Sequence, residues 1–280
     1  MFSKLLRHDL KAILKYWWIA AATSPLVAFF CGVCINIVSS DRNYGALTVL
    51  AGLGTFLGVV GLGAFAVIAE VLILIRFYKN FFTDEGYLTF TLPVKRSHLL
   101  GSKVCSAVIT LAVTAVILVF DTVIVYAAAD PNYFFKYRWV KEILDFFKVG
   151  YEEIGGYLIL FIAEVVLAII VLAFFAVLSM FACINIAATV AKKHKVLAAI
   201  GIYYLFSGAL SLFVQFAFIR GGIVLAFEKL YMMPTMWGGY PVALPATAIM
   251  IFGGIAVAVM LTAALYLLEL WLLHRNLNLE

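Results

Sequence analysis

The stretch RFYKNFFTDEGYLTFTLPVKRSHLLGSK, from Arg76 to Lys103, is the longest charge-bearing segment that lies between two apolar runs of this chain. The run before it, Leu47 to Ile75, and the run after it, Val104 to Ala128, each contain a single charged residue. At a rise of about 1.5 Å per residue, each run can cross about 30 Å of bilayer hydrocarbon as a helix. The stretch therefore predicts a polar loop between two membrane-spanning helices.

The composition extends this interpretation to the whole chain. Of its 280 residues, 66% are hydrophobic and 12% are charged, and the mean hydropathy is +1.10. Soluble domains are about 45–50% apolar and about 25% charged, which excludes that class. No polar linker divides residues 1–280, so we predict one integral, all-α membrane domain. Its six predicted spans are Trp17 to Val38, Leu47 to Ile75, Val104 to Ala128, Tyr157 to Thr189, Val196 to Ile219 and Ala246 to Leu273.

Three segments outside the spans carry their own patterns. Residues 1–16 separate into an apolar and a basic helical face, which predicts an elbow helix lying on the lipid bilayer. Residues 129–156 contain a second amphipathic pattern, which predicts an interfacial helix on the outer surface. Residues 220–245 are apolar but interrupted by glycine and proline, which predicts short broken helices that dip into the outer leaflet, as opposed to an apolar loop.

The basic residues predict the orientation of the chain. With the N-terminus inside, the inner segments hold thirteen of the twenty Lys and Arg residues and four acidic residues, whereas the outer segments hold seven of each. Cytoplasmic loops retain Lys and Arg, so both termini are predicted to be cytoplasmic in a bacterial plasma membrane. This asymmetry explains the net charge of +5, and no nucleic-acid partner is needed.

Four carboxylates lie inside the predicted spans: Glu70, Asp121, Glu164 and Glu269. Counted from the span ends, the first and last lie about 9 Å inside the cytoplasmic boundary, and the other two about 10 Å from the outer one. An ionised group at such a position faces the helix bundle or water. Two interpretations remain open, a translocation or proton path and structural groups that are hydrogen-bonded near helix ends.

Signatures of catalysis are missing from the sequence. It has no GxxxxGK[ST] phosphate loop, no HExxH and no GxSxG, and its four cysteines all fall in apolar runs. We therefore expect no enzyme activity, no metal site and no cofactor bound by this chain. Gly54 and Gly58 have the GxxxG spacing that favours close helix packing, either within the subunit or between subunits.

The loop itself has the features of a docking segment. Asp84 can cap a short helix that Pro93 ends, and Phe81, Phe82, Leu88, Phe90 and Leu92 are too apolar for a solvated loop. A short helix that exposes Phe and Leu beside charges is typical of segments that bind a groove on a partner protein.

Residues Phe77 to Lys103 resemble the signature of type-2 ATP-binding-cassette (ABC) permeases of Firmicutes, in which a TDEGYL turn and an LPVKR sequence precede the third span. The closing NLNLE, residues 276–280, is similar to the ends of that group. The long outer segment between spans three and four departs from the commonest layout of that group.

The resemblance implies an exporter permease that pairs with a second permease copy or a homologue and with separate ABC ATPase subunits, on which ATP and Mg would bind. The cargo it implies is an amphipathic peptide, an antimicrobial or another hydrophobic compound. The coupling loop, residues 76–103, would contact the ATPase, with a second contact at residues 192–195. The implied ATPase-coupling residues are Phe82, Thr83, Asp84, Glu85, Gly86, Tyr87, Leu88, Phe90, Leu92, Pro93, Lys95, Arg96, Lys192 and Lys193.

Two other classes of function remain open at this point. A proton-coupled secondary transporter would use Asp121 and Glu164 as proton carriers. A nontransporting membrane scaffold would need neither an ATPase nor a proton gradient. A neighbouring gene for an ATPase with a phosphate loop would favour the ABC permease.

Overall fold

The computed structural model describes residues 2–40, 45–82, 94–131, 134, 138–190, 195–220 and 243–275, and in these ranges the chain is almost entirely helical and has no strand. The chain divides into two compact units, Met1–Val149 and Gly150–Glu280. The prediction of a single domain over residues 1–280 stays a prediction. The helices are α1 (Phe2–Ser39), α2 (Ala46–Phe82), α3 (Arg96–Ala129), α4 (Arg138–Ile154), α5 (Tyr157–Val190), α6 (Lys195–Arg220) and α7 (Ala243–Arg275).

Five of the described helical segments are long and apolar enough to cross a membrane: Phe2–Ser39, Ala46–Phe82, Arg96–Ala129, Tyr157–Ala188 and Ile251–Leu272. The all-α prediction is confirmed for the described residues, and the five apolar helices fit a multi-pass membrane protein. Helix α6 covers the remaining predicted span, but its described apolar part, Leu197–Leu212, is shorter. The six-span count therefore stays a prediction.

Helix α1 continues without interruption from Phe2 to Ser39 and contains Pro25. A separate elbow helix over residues 1–16 is thus not confirmed. The buried residues Asp9, Ile13 and Trp17 follow one another at four-residue intervals, so they share one face of the helix. Because this buried face runs from the predicted elbow into the predicted span, both parts pack as one helix.

In the first unit, α1 packs against both α2 and α3. Trp17 of α1 lies beside Phe65 of α2, with ring centroids 6.0 Å apart, whereas the Cys31 thiol lies 3.7 Å from the Thr55 carbonyl oxygen. The order of these contacts is reversed along α2, so α1 and α2 are antiparallel. Contacts of α1 with α3 advance in the same order along both helices, as described below, so that pair is parallel.

Small residues set the distance between α1 and its neighbours. A Cβ atom built on Gly58 would lie 2.6 Å from the Cys31 Cβ, and one on Gly54 would lie 2.6 Å from the Cys34 Sγ. The GxxxG pair therefore packs α2 against α1 within this chain. On the α3 side, a Cβ on Gly32 would lie 2.5 Å from the Val125 carbonyl oxygen. Side chains at these positions would force the helices apart.

In the second unit, α5 packs against α6 and α7.

Helix α4 lies within the predicted outer amphipathic segment, and its apolar residues Ile143, Leu144 and Phe147 are exposed. Gly155 ends this helix with a φ of 61°, in the left-handed region that glycine adopts without a steric cost. Attachment of α4 to a membrane surface stays a prediction. The predicted broken segment, residues 220–245, lies mostly outside the described residues.

We predict that Gly58→Ala lowers the thermal unfolding midpoint of the full chain in detergent. The added methyl group would collide with the Cys31 Cβ and Cα, and overpacking of this kind costs about 1–3 kcal/mol. Gly63→Ala on the same helix is the matched control, since no atom lies within 4 Å of its built Cβ. Equal unfolding midpoints for the two variants would contradict the assigned α1–α2 contact.

Candidate functional site

Three helix segments extend beyond the apolar runs of the first unit at one end, which we call the basic end: residues 2–16 of α1, 76–82 of α2 and 96–103 of α3. The basic end is tightly packed. Phe77, Phe81, Leu99 and Leu100 are each at most 2% exposed, and the Phe77 and Phe81 rings lie 4.8 Å apart. The predicted coupling loop therefore connects two helices that are held in a well-packed stem.

A buried ion pair joins α1 to α3 in this stem. Lys103 Nζ of α3 donates a hydrogen bond to Asp9 Oδ1 of α1, and the Ser102 hydroxyl donates to Asp9 Oδ2 at 3.3 Å. The side chains of Asp9 and Lys103 are only 2% and 9% exposed. Both residues had been expected in surface segments, so the sequence interpretation missed this contact. The signal that could have revealed it is the placement of Asp9 on the apolar face that continues through Ile13 and Trp17.

Beyond the ion pair, hydroxyl groups form a buried polar stripe on α3, which consists of Ser102, Ser106, Thr110 and Thr114. Ser106, Thr110 and Thr114 each donate to a carbonyl oxygen three or four residues earlier, at 2.8–2.9 Å. Such a bond to the backbone of the same helix gives the hydroxyl group a hydrogen-bond acceptor where water is absent. Thr114 Oγ1 also accepts a hydrogen bond of 3.0 Å from Trp17 Nε1 of α1. The α1–α3 contact is thus polar over several helical turns.

Asp121 lies two turns beyond this stripe on α3 and is fully buried. Among the described residues, neither of its carboxylate oxygens has a hydrogen-bond partner. Ser24 follows Trp17 of α1 by seven residues, as Asp121 follows Thr114 of α3, so the Trp17–Thr114 contact and the parallel helices bring Ser24 and Asp121 to the same level. The Ser24 hydroxyl donates to the Ala21 carbonyl oxygen at 3.3 Å. Further along, Asn36 Nδ2 of α1 donates to the Ala129 carbonyl oxygen at 2.6 Å. This hydrogen bond gives a partner to one of the backbone carbonyl groups at the C-terminal end of α3.

The second unit contains a buried carboxylate–amide pair. Asn185 Nδ2 of α5 donates a hydrogen bond to Glu269 Oε2 of α7, and Glu269 is fully buried. Since both residues are near the C-terminal ends of their helices, those ends lie together. Glu164 of α5 is 2% exposed, and within the described part of the chain its two carboxylate oxygens have no hydrogen-bond partner.

The predicted translocation-path residues are therefore buried to different degrees. Asp121, Glu164 and Glu269 are buried, whereas Glu70 of α2 is half-buried. Glu70 and Asp121 belong to the first unit but lie at different levels along α1. Glu70 follows Phe65, which contacts Trp17, and α2 is antiparallel to α1, so Glu70 lies on the N-terminal side of Trp17. Asp121 lies at the level of Ser24, on the C-terminal side of Trp17. A path through these carboxylates stays a prediction. Across the described ranges, no group of three or more His, Cys, Asp or Glu residues could hold a metal ion.

Three of the predicted ATPase-coupling residues are described. Phe82 is the half-buried last residue of α2, Lys95 is exposed just before α3, and Arg96 is the half-buried first residue of α3. The structure thus places these three at the two edges of the loop. The others lie outside the described residues: Thr83, Asp84, Glu85, Gly86, Tyr87, Leu88, Phe90, Leu92, Pro93, Lys192 and Lys193.

We predict that Lys103→Met destabilises the full chain by about 3–5 kcal/mol, because removal of one partner leaves the Asp9 charge buried and uncompensated. The double variant Asp9→Leu/Lys103→Met should recover most of the loss, since an apolar pair needs no compensation. Thermal unfolding in detergent measures both effects, and Lys11→Met, at an exposed position of α1, is the control. A double variant no more stable than Lys103→Met would contradict the pairing.

For the second unit, we predict that Asn185→Asp lowers the unfolding midpoint because it places a second carboxyl group against Glu269. Adding Glu269→Gln should restore the midpoint, since the glutamine amide can then donate to the new carboxylate across the same contact. The comparison of the single and double variants is made by thermal unfolding. Failure of the exchanged pair to recover any stability would show that residues 185 and 269 do not interact.

Comparison with other proteins supplies no relative from which a role could be transferred to these sites. No protein-family model, curated protein or solved structure matches this chain. The ABC permease family, which the loop resembles, therefore remains a prediction from the sequence.

Proposed function

We propose that this chain is the membrane-spanning permease subunit of an ATP-driven ABC exporter. The observation that carries the proposal is the position of the loop that resembles the permease signature. It connects α2, which ends at Phe82, to α3, which begins at Arg96, and both ends belong to the packed basic end. A loop held by such a stem can transmit the movement of a bound partner to the spans.

The α1–α3 contact extends this transmission into the membrane. Lys103, seven residues after the start of α3, is bonded to Asp9, and Trp17 is bonded to Thr114. A displacement of the loop would therefore move α3 together with α1. Rigid packed elements with few alternative arrangements are the physical basis of such coupling.

The energy source in this proposal is a partner protein. The sequence has no phosphate loop, so ATP and Mg would bind to separate ATPase subunits, which dock on the loop and on residues 192–195. The permease would pair with a second copy or a homologue to enclose the path. The apolar, aromatic composition favours an amphipathic peptide, an antimicrobial or another hydrophobic cargo.

We predict that Phe90→Glu or Leu92→Glu abolishes co-purification with the ATPase encoded by a neighbouring gene and removes stimulation of its ATP hydrolysis. Each change places a charge where an apolar side chain is proposed to enter a groove. Co-expression, affinity purification of the full chain and an ATPase assay in lipid nanodiscs measure the effect.

The control for this experiment is Asn43→Glu, in the link between α1 and α2 at the other end of these helices. It adds the same charge, and both association and ATPase stimulation should remain at the wild-type level. Association and stimulation that survive in the Phe90 and Leu92 variants would overturn the assignment of the loop.

A further inference from the structure

Pro25 lies inside α1. Proline has no backbone N–H, so the carbonyl group four residues earlier, that of Ala21, loses its helical hydrogen bond. The Ser24 hydroxyl replaces it by donating to the Ala21 oxygen at 3.3 Å. In a membrane interior, a carbonyl left without such a substitute is costly because no lipid group can hydrogen-bond to it.

This hydrogen bond determines whether Ser24 can act as a donor or as an acceptor toward Asp121 of α3, which lies at the same level. Because the single hydroxyl hydrogen of Ser24 is directed to Ala21, its oxygen retains lone pairs that can accept a hydrogen bond. An ionised Asp121 can only accept hydrogen bonds, whereas a protonated Asp121 can donate one. Ser24 in this orientation therefore complements the protonated carboxyl group.

The surroundings of Asp121 favour the same state. Asp121 is fully buried, and among the described residues its two oxygens have no hydrogen-bond donor. No titratable or charged side chain occurs in α1 between Tyr16 and Cys31, in α2 between Ala46 and Glu70, or in α3 between Cys105 and Tyr126 apart from Asp121 itself. An ionised carboxylate without a counter-charge is costly in a membrane.

We propose that Asp121, Ser24 and the Ala21 carbonyl form a reversible proton-binding site beside Pro25 of α1. In the loaded state, the Asp121 hydroxyl donates to Ser24 Oγ, and Ser24 donates to Ala21. When the proton leaves Asp121 for water, the Ser24 hydroxyl turns to donate to the carboxylate, and the Ala21 carbonyl is released. Loss of the proton thereby breaks the one bond that substitutes for the helical bond at Pro25.

A metal ion does not fit this site as well as a proton does. Ca²⁺ and Mg²⁺ take at least six oxygen ligands, whereas the carboxylate, the hydroxyl and the carbonyl supply fewer. The proton site also goes beyond the proposed function, since an ATP-driven permease does not require one. Its failure would leave the test of the ATPase partner unaffected.

The direct test is infrared spectroscopy of the full chain in lipid nanodiscs, with the side-chain carboxyl carbon of aspartate labelled with ¹³C. The label separates aspartate from the buried Glu164 and Glu269. We expect a labelled protonated-carboxyl band at neutral pH that disappears as the pH is raised and is missing from Asp121→Asn. The control Asp130→Asn, at an exposed position after the end of α3, should retain the band.

Ser24→Ala tests the partner of the carboxyl group. It removes Ser24 Oγ, the proposed hydrogen-bond acceptor, so the protonated-carboxyl band should change position. In the control Asp130→Asn, the position of the band should stay as in the wild type. A spectrum of Ser24→Ala identical to that of the wild type would overturn the role of Ser24. Absence of a labelled protonated-carboxyl band from the wild type at neutral pH, where aspartates with the ordinary pKa of about 3.9 are ionised, would overturn the site, and that result does not depend on the folding of any variant.

Discussion

The close contact between α1 and α3 is the interaction on which the first unit depends. At the basic end it is held by the Asp9–Lys103 ion pair, in the middle by the Trp17–Thr114 hydrogen bond, and at the far end by the approach of Gly32 to the Val125 carbonyl oxygen. Hydrophobic burial distinguishes poorly between helix packings in lipid, where the alternative environment is also apolar. Specific polar contacts and small residues therefore fix the position and direction of α1 relative to α3.

The membrane also explains the two kinds of surface on these helices. Large apolar residues such as Leu26, Phe56 and Val116 are more than 60% exposed, which would be unfavourable in water over helices of this length. Polar side chains are instead concentrated in helix contacts, where Asp9, Thr114, Asp121 and Asn185 are buried. In the described helices, these buried polar groups therefore lie at contacts between helices.

Much of the helical organisation could be predicted from the sequence, because each predicted span falls within one helix of the structure. Length and apolarity are local properties, so they identified the helices but not which faces meet. The sequence places Asp9 and Lys103 in the inner segments outside the spans, although the structure pairs them in the interior. The roles of Gly54 and Gly58 were left open between two kinds of interface until their contacts with Cys34 and Cys31 were known. Predicting such pairs requires the relative rotation of helices that are distant in sequence.

In the proposed function, the loop between α2 and α3 binds an ATPase and the stem behind it moves the spans. Photo-crosslinking in native membranes tests it most directly, with a photoreactive amino acid at Leu88 in the full chain and mass spectrometry of the adduct. We expect an adduct with a protein that contains a phosphate loop, with a yield that changes when ATP is added. Adducts with lipids or with proteins that lack a phosphate loop, and none with an ATPase, would contradict it.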